Sequence, residues 1–308
     1  MNRHTPVSTT RARPAWAILC LMVAVSAAAF VAACGGSGGG SSPTPVATVT
    51  AAATPMASPS APSPSTSPTA AATTLSLYFL RGEKLGVAER QAPQTTTPAT
   101  AALEALLAGP TAAERAAGLA SAVPGGTRLL GLSIDGTTAR VDLSERFAAG
   151  GGSLSMQARV AQIVYTLTRF ETVETVTFLL EGRAVDALGG EGLPLGADQS
   201  RSDWRRFEPA IFVEAPGVGA ALSSPFILEG TASVFEGSFK ARLIDAGGGE
   251  IASATIQASR GAPDRGSYRQ TIAFDAAAAG GVLIVYSQSM EDGSRQNEVR
   301  IPVGFSSD

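Results

Sequence analysis

The chain has 308 residues, with 23 basic and 26 acidic side chains, a formal net charge of −3, one His and two Cys. Arg3, Arg11 and Arg13 are the only charged residues in the first 33 positions, so a chain cut there carries −6, a poor match to nucleic acid, whose binders cluster Lys and Arg. The His is His4 and the thiols are Cys20 and Cys34, so a chain cut before a modified Cys34 has neither His nor free thiol; that excludes Ser-His-Asp and Cys-His catalysis, and zinc sites built from His or Cys.

Residues 1–33 read as a secretion signal. Three Arg form a positive start, and Ala15 to Ala33 is uncharged and apolar. Val31-Ala32-Ala33-Cys34 then resembles a bacterial lipobox. That resemblance implies a diacylglycerol on Cys34, cleavage before it, and a lipid anchor on the extracytoplasmic face of the cell membrane. The competing reading is an uncleaved transmembrane span, since the apolar stretch is long enough to cross a bilayer. Residues 34–74 hold the lipidated Cys and a Gly/Ser/Pro/Thr spacer without a charged side chain. Such a segment buries too little surface to offset its ordering entropy. As a coil it spans about 35 Å, and as polyproline II about 120 Å.

The first folded domain is expected over 75–200. Leu75 to Leu80 reads as a strand, and Pro98 opens a helix with Leu103, Leu106 and Leu107 on one face. Thr111 and Glu114 have capping-box spacing. Arg128 to Asp135 and Thr138 to Leu143 read as a hairpin across Asp135-Gly136. Met156, Val160, Ile163, Val164 and Leu167 mark an amphipathic helix, and Val173 to Leu180 a closing strand. The order is β-α-β-β-α-β, an α+β domain with helices on one face of a mostly antiparallel sheet. The run Leu106-Leu107-Ala108-Gly109-Pro110-Thr111, with Val141-Asp142-Leu143, resembles the GerMN domain of sporulation and spore-germination proteins. No catalytic set comes with that resemblance.

Over 208–305 helical periodicity gives way to seven short alternating runs. They are Ile211 to Glu214, Phe226 to Ala232, Ser238 to Asp245, Ile251 to Ser259, Ser267 to Phe274, Val282 to Gln288 and Glu298 to Val303. This pattern predicts an all-β immunoglobulin-like sandwich without a disulfide. The pieces SSPFILEGTASVFEGSFKARLID and EDGSRQNEVRIPV resemble the immunoglobulin-like domain of spore-germination and envelope proteins, which implies a non-catalytic binding or spacer module.

Candidate chemistry is sparse. Asp142 with Glu145, and Asp203 with Glu208, are the carboxylate pairs that could serve glycan hydrolysis, and each also reads as structural. Gly150-Gly151-Gly152-Ser153 before a helix could cradle an anion but has no P-loop Lys. Asp292-Gly293 reads as a turn, without the ligand series of a calcium loop. Arg201, Trp204, Arg205 and Arg206 form the one basic-aromatic cluster. It is either a docking site for a partner or an ordered linker between the domains. The connector around 198–208 also reads as a weak protease site. No catalytic, metal or cofactor residue is assigned, and the sequence names no oligomeric state.

These features favour a non-enzymatic envelope lipoprotein, bound to membrane lipid through Cys34 and to an envelope protein or peptidoglycan. The alternatives are a carboxylate-dependent cell-wall hydrolase and an accessory lipoprotein to a membrane sensor or transporter. Replacing Cys34→Ala is expected to abolish labelling by a fatty-acid analogue. Equal labelling of wild type and variant would refute the anchor.

Overall fold

The protein is seen in a computed structural model that describes residues 72–189, 193–196, 198–275 and 279–306. The leader, Cys34 and the spacer through residue 71 lie outside them.

The first described strand, β1 (Ala72–Arg81), turns through Gly82-Glu83 into β2 (Lys84–Pro93). The second strand of this hairpin is an addition to the expected order. Its Glu89 and Arg90 interrupt the apolar alternation, yet both are engaged. Arg90 donates to Glu114 and to the carbonyls of Ala105 and Gly109. Helix α1 (Pro98–Leu107) starts on Pro98 and buries Ala99, Ala102, Leu103 and Leu106. Helix α2 (Ala112–Ala116) opens on a complete capping box. Glu114 N–H donates to Thr111 Oγ1 at 3.3 Å, and Thr111 N–H to Glu114 Oε2 at 2.7 Å. β3 (Leu119–Ala120) then pairs with the far side of β1, giving the sheet order β2-β1-β3.

β4 (Leu129–Asp135) and β5 (Thr138–Leu143) form the expected hairpin, closed by Gly136-Thr137. Helix α3 (Ser153–Leu167) crosses over to β6 (Thr175–Leu180), which lies parallel to β5. β7 (Arg183–Ala184) completes a second sheet, β4-β5-β6-β7, and β8 (Ala187–Leu188) pairs with β9 (Leu193–Pro194). The β-α-β-β-α-β core is therefore present, with its strands shared between two sheets.

Helix α3 is buried almost all round, which its apolar spacing did not announce. Three polar residues explain how. Thr166 Oγ1 accepts the Tyr78 N–H at 3.1 Å, and Gln162 donates to the Tyr78 carbonyl at 3.2 Å. Beyond the short β3, the backbone of β1 thus finds its partners in side chains of α3, as buried peptide groups require. Gln162 also accepts the Ala122 N–H at 2.7 Å. Arg159, 2% exposed, donates to the carbonyls of Phe147, Ala149 and Gly150 at 2.5, 3.2 and 2.9 Å. Burial pulls its pKa down. The glycine loop ahead of α3 is therefore held from within by the Arg159 guanidinium.

The second domain is an immunoglobulin-like sandwich. β10 (Ile211–Ala215), β12 (Phe226–Ala232) and β15 (Gly266–Ile272) form one sheet in the order β10-β12-β15. β11 (Ala221–Leu222), β13 (Ser238–Asp245), β14 (Glu250–Gln257), β16 (Gly280–Gln288) and β17 (Arg295–Phe305) form the other, in the order β11-β17-β16-β13-β14. Phe239, Leu243, Leu283 and Val285 from one sheet join Leu228, Tyr268 and Ile272 from the other in the core. One tie needs a glycine. Tyr268 donates its hydroxyl to the Phe212 carbonyl at 3.0 Å, and a Cβ on Gly230 would stand 2.0 Å from that same oxygen. Among the described residues no helix is long and apolar enough to cross a membrane.

Glu114 gives the first domain an acid-sensitive joint. Burial pushes its carboxyl up, but hydrogen bonds from Arg90 and Thr111 outweigh that, and the net shift is down. A depressed carboxylate stabilises the fold above its unfolded pKa, about 4.3 for Glu, and that stabilisation is lost as pH falls through the folded value. Glu114→Gln is expected to cost about 1–2 kcal/mol at pH 7. In urea melts the gap between wild type and variant should narrow as pH falls below about 4.3, and a gap independent of pH would contradict the assignment.

Candidate functional site

The two domains belong to one compact unit, and their chemistry-bearing side chains converge on the seam between them. β1 is buried on both faces, which places Tyr78 against the second domain. Helix α3 brings Tyr165 beside it, and β10 brings Phe212. Their ring centroids lie 5.7 Å (Tyr78–Tyr165), 6.0 Å (Tyr78–Phe212) and 5.9 Å (Tyr165–Phe212) apart, with tilted or edge-on geometry.

Arg201 enters this cluster from the first turn of a 3-10 helix, Arg201–Phe207. Its guanidinium carbon lies 4.8 Å from the Tyr165 ring centroid and 5.3 Å from that of Tyr78. Nε donates to Thr168 Oγ1 at 2.8 Å, and one terminal nitrogen to Glu214 Oε1 at 2.5 Å. The other reaches the Tyr78 hydroxyl at 3.2 Å and the Tyr165 carbonyl at 3.3 Å. Burial alone would pull the Arg201 pKa down, but Tyr78 and Glu214 more than reverse this, so it stays charged. The hydroxyls complete the network. Tyr78 donates to Glu214 at 2.8 Å and Tyr165 to Glu208 at 2.6 Å. Burial, followed by these carboxylates, pushes both phenols up, so they act as donors.

Two further ties flank the cluster. Arg169 donates to Glu229 at 2.9 Å, and Arg265 pairs with Glu208 at 2.8 Å. The backbone itself crosses the seam on the other side. Val218 N–H donates to the Val87 carbonyl at 2.8 Å, and Glu89 N–H to the Val218 carbonyl at 2.9 Å. The Glu89 carboxylate accepts the Gly217 N–H at 2.7 Å. Burial raises the Glu89 pKa, opposed by that N–H. A side chain at Gly217 would press on the Ala88 and Glu89 backbone at 3.1 Å, so glycine permits this approach.

The structure divides the basic-aromatic cluster that the sequence presents as one. Arg201 and Trp204 face inward, while Arg205 and Arg206 are exposed. Arg206 stacks over Phe207 and Trp204 at 5.0 and 5.9 Å, and its carbonyl accepts a bond from Lys84. The connector is thus an ordered, packed helix. The expected protease sensitivity of 198–208 gives way to burial of Trp204 and Phe207. Among the carboxylate candidates, Asp142 accepts the Gly182 N–H at 3.0 Å, and Glu145 lies exposed with its own N–H on Glu181. Asp203 caps the 3-10 helix by accepting from Ser200. Glu208 is not its partner but sits on Tyr165 and Arg265. Asp292 accepts from Ser294 within its turn. Among the described residues no cluster of three acidic, His or Cys side chains could hold a metal. Sequence reasoning passed over Tyr78, Tyr165, Phe212 and Glu214. Its available signal was the scarcity of Tyr, a residue that when buried brings a polar tip needing a partner.

Residues 76–186 match the family described as sporulation and spore germination, and residues 210–294 match the immunoglobulin-like domain of bacterial spore germination. Among solved structures, the tandem GerMN domains of the sporulation protein GerM from Bacillus subtilis are 18% identical, with a TM-score of 0.39. That match covers 66% of this chain and 62% of the other, so the chain spans less than two thirds of the tandem structure. The first GerMN domain of the same protein is 23% identical with a TM-score of 0.38, covering 42% of this chain and 99% of the other. No curated protein matches the chain.

Removing the central cation should open the seam. Arg201→Met keeps the length of the side chain but removes the ion pair with Glu214, the donors to Thr168, the Tyr78 hydroxyl and the Tyr165 carbonyl, and the charge over both rings. It is expected to cost about 2–3 kcal/mol. Limited digestion should then cut within 198–208 in the variant and spare that segment in wild type. Equal resistance would mean that Arg201 does not hold the seam.

Proposed function

We propose that this chain, which joins a GerMN domain of the sporulation and spore-germination kind to an immunoglobulin-like domain of bacterial spore germination, is a non-enzymatic binding or scaffold module of the cell envelope. It is held on the extracytoplasmic face by a lipid on Cys34, and its partner is an envelope protein or peptidoglycan. The observation that carries this reading is the seam. Its charged groups and phenols are spent on one another, in a network that fixes two domains as one body. A general acid for glycan cleavage needs a carboxyl held protonated near neutral pH by an apolar pocket. Asp142 and Asp203 instead accept backbone N–H groups, and Glu208 faces Arg265, so none of them sits in an apolar pocket of that kind.

Purified protein mixed with cell-wall sacculi, and with solubilised envelope proteins, is expected to be retained by one of them. It should release no soluble muropeptides between pH 5 and 8. Release that disappeared in Asp142→Asn, with the circular dichroism spectrum intact, would make the protein a hydrolase and Asp142 its catalytic residue.

A further inference from the structure

Beside the seam the two domains leave a cleft of about 610 Å³, within the range of roughly 300–1,000 Å³ typical of ligand sites. Its apolar lining comes from Leu85 and Val87 of β2, Ile211 and Val213 of β10, and Val299 and Ile301 of β17. Five charged residues also line it, and their pairing is uneven. Glu208 accepts the Tyr165 hydroxyl through Oε1 and stands 2.8 Å from Arg265, although Oε2 itself accepts no hydrogen bond among the described residues. Glu298 is occupied by Arg295 at 3.3 Å and Arg300 at 3.0 Å. Lys84 donates to a carbonyl, that of Arg206, and not to a carboxylate. Arg81, the last residue of β1, has no carboxylate within ion-pair reach among the described residues, and its Nε is buried without a hydrogen-bond partner. Burial depresses its pKa. A half-buried guanidinium left unmatched is costly, because desolvation of a charge is repaid only by a partner. The body as a whole is acidic, so this cationic wall is a local exception.

We infer that this cleft binds the C-terminal end of a peptide, with Arg81 taking the terminal carboxylate and the apolar wall taking the side chain beside it. The planar fork of Arg matches a carboxylate with two parallel hydrogen bonds. Lys84 adds a second positive charge at the same mouth. An extended backbone fits because the cleft runs between two edge strands. β2 is the outer strand of its sheet and β10 the outer strand of its own, and such edges accept an added chain through main-chain bonds. The inference stands on the cleft alone and holds wherever the chain resides in the cell.

The test titrates purified full-length protein with N-acetyl-Ala-Ala-Leu, as the free acid and as the C-terminal amide, by calorimetry. The acid is expected to bind saturably. The amide, and the acid with Arg81→Gln, should bind at least about tenfold more weakly. Inorganic phosphate at the same concentration as the peptide should not displace it. If Arg81→Gln loses its cooperative melt, Val299→Trp fills the cleft from the opposite wall and should abolish binding. Equal affinity for acid and amide, displacement by phosphate, unchanged binding to a folded Arg81→Gln or to Val299→Trp, or no saturable binding would each overturn the inference.

Discussion

The architecture depends on one partly buried cation. Arg201 meets Tyr78 of the first strand, Tyr165 and Thr168 at the end of the central helix, and Glu214 of the second domain. Domains joined by a connector move relative to each other by default, since their interfaces are small and polar. Here the connector itself supplies the key. A guanidinium between two aromatic faces, with donors reaching four acceptors, is satisfied in one relative placement of the domains and in few others. Net stabilisation from such a group is modest, because desolvation cancels much of the attraction. Its larger effect is on geometry, because any shift of one domain leaves a charge and two phenols without partners. Lysine could not substitute, since a single ammonium has neither the planar face nor the fork.

The second constraint is the exposed edge of β2. An edge strand next to apolar residues invites pairing with other chains. The segment after β10 covers part of that edge through Val218, and Gly217 allows the backbones to approach. The same segment donates the Gly219 N–H to the Pro302 carbonyl at 3.1 Å, tying the bridge to the last strand of the sandwich. The hairpin of one domain therefore continues into the sheet of the other. Coverage stops before Leu85, which is where the cleft begins.

Legibility in the sequence followed the range of the forces involved. Phe226–Ala232, Ser238–Asp245 and Thr138–Leu143 occur at the boundaries that local alternation and turn residues predict, because those signals act within a few residues. The α1 start at Pro98 and the Thr111 cap are equally local. β2 escaped because its alternation is broken by Glu89 and Arg90, whose partners are Gly217 and Glu114. Arg159, Gln162 and Thr166 look like the wet face of an amphipathic helix. Only the fold reveals the carbonyls and N–H groups they satisfy. Arg201 was visible as part of a basic cluster, but its meaning was not, since Tyr78 lies more than a hundred positions away along the chain.

The distribution of charge carries this one step further. In an acidic chain, cations are in demand. Arg90, Arg169, Arg201 and Arg265 are each drawn into a pair with a partly or wholly buried carboxylate. Arg242, Arg269 and Arg300 meet carboxylates nearer the surface. Against that pattern, Arg81 lines the cleft together with Glu208 and Glu298 yet pairs with neither. Both acids already stand in ion pairs with other arginines, which keeps them from neutralising the cleft. The ion pairs of Glu208, beside the seam, and of Glu298, within β17, thus leave the mouth of the cleft positive, so its polarity follows from how the neighbouring acids are spent.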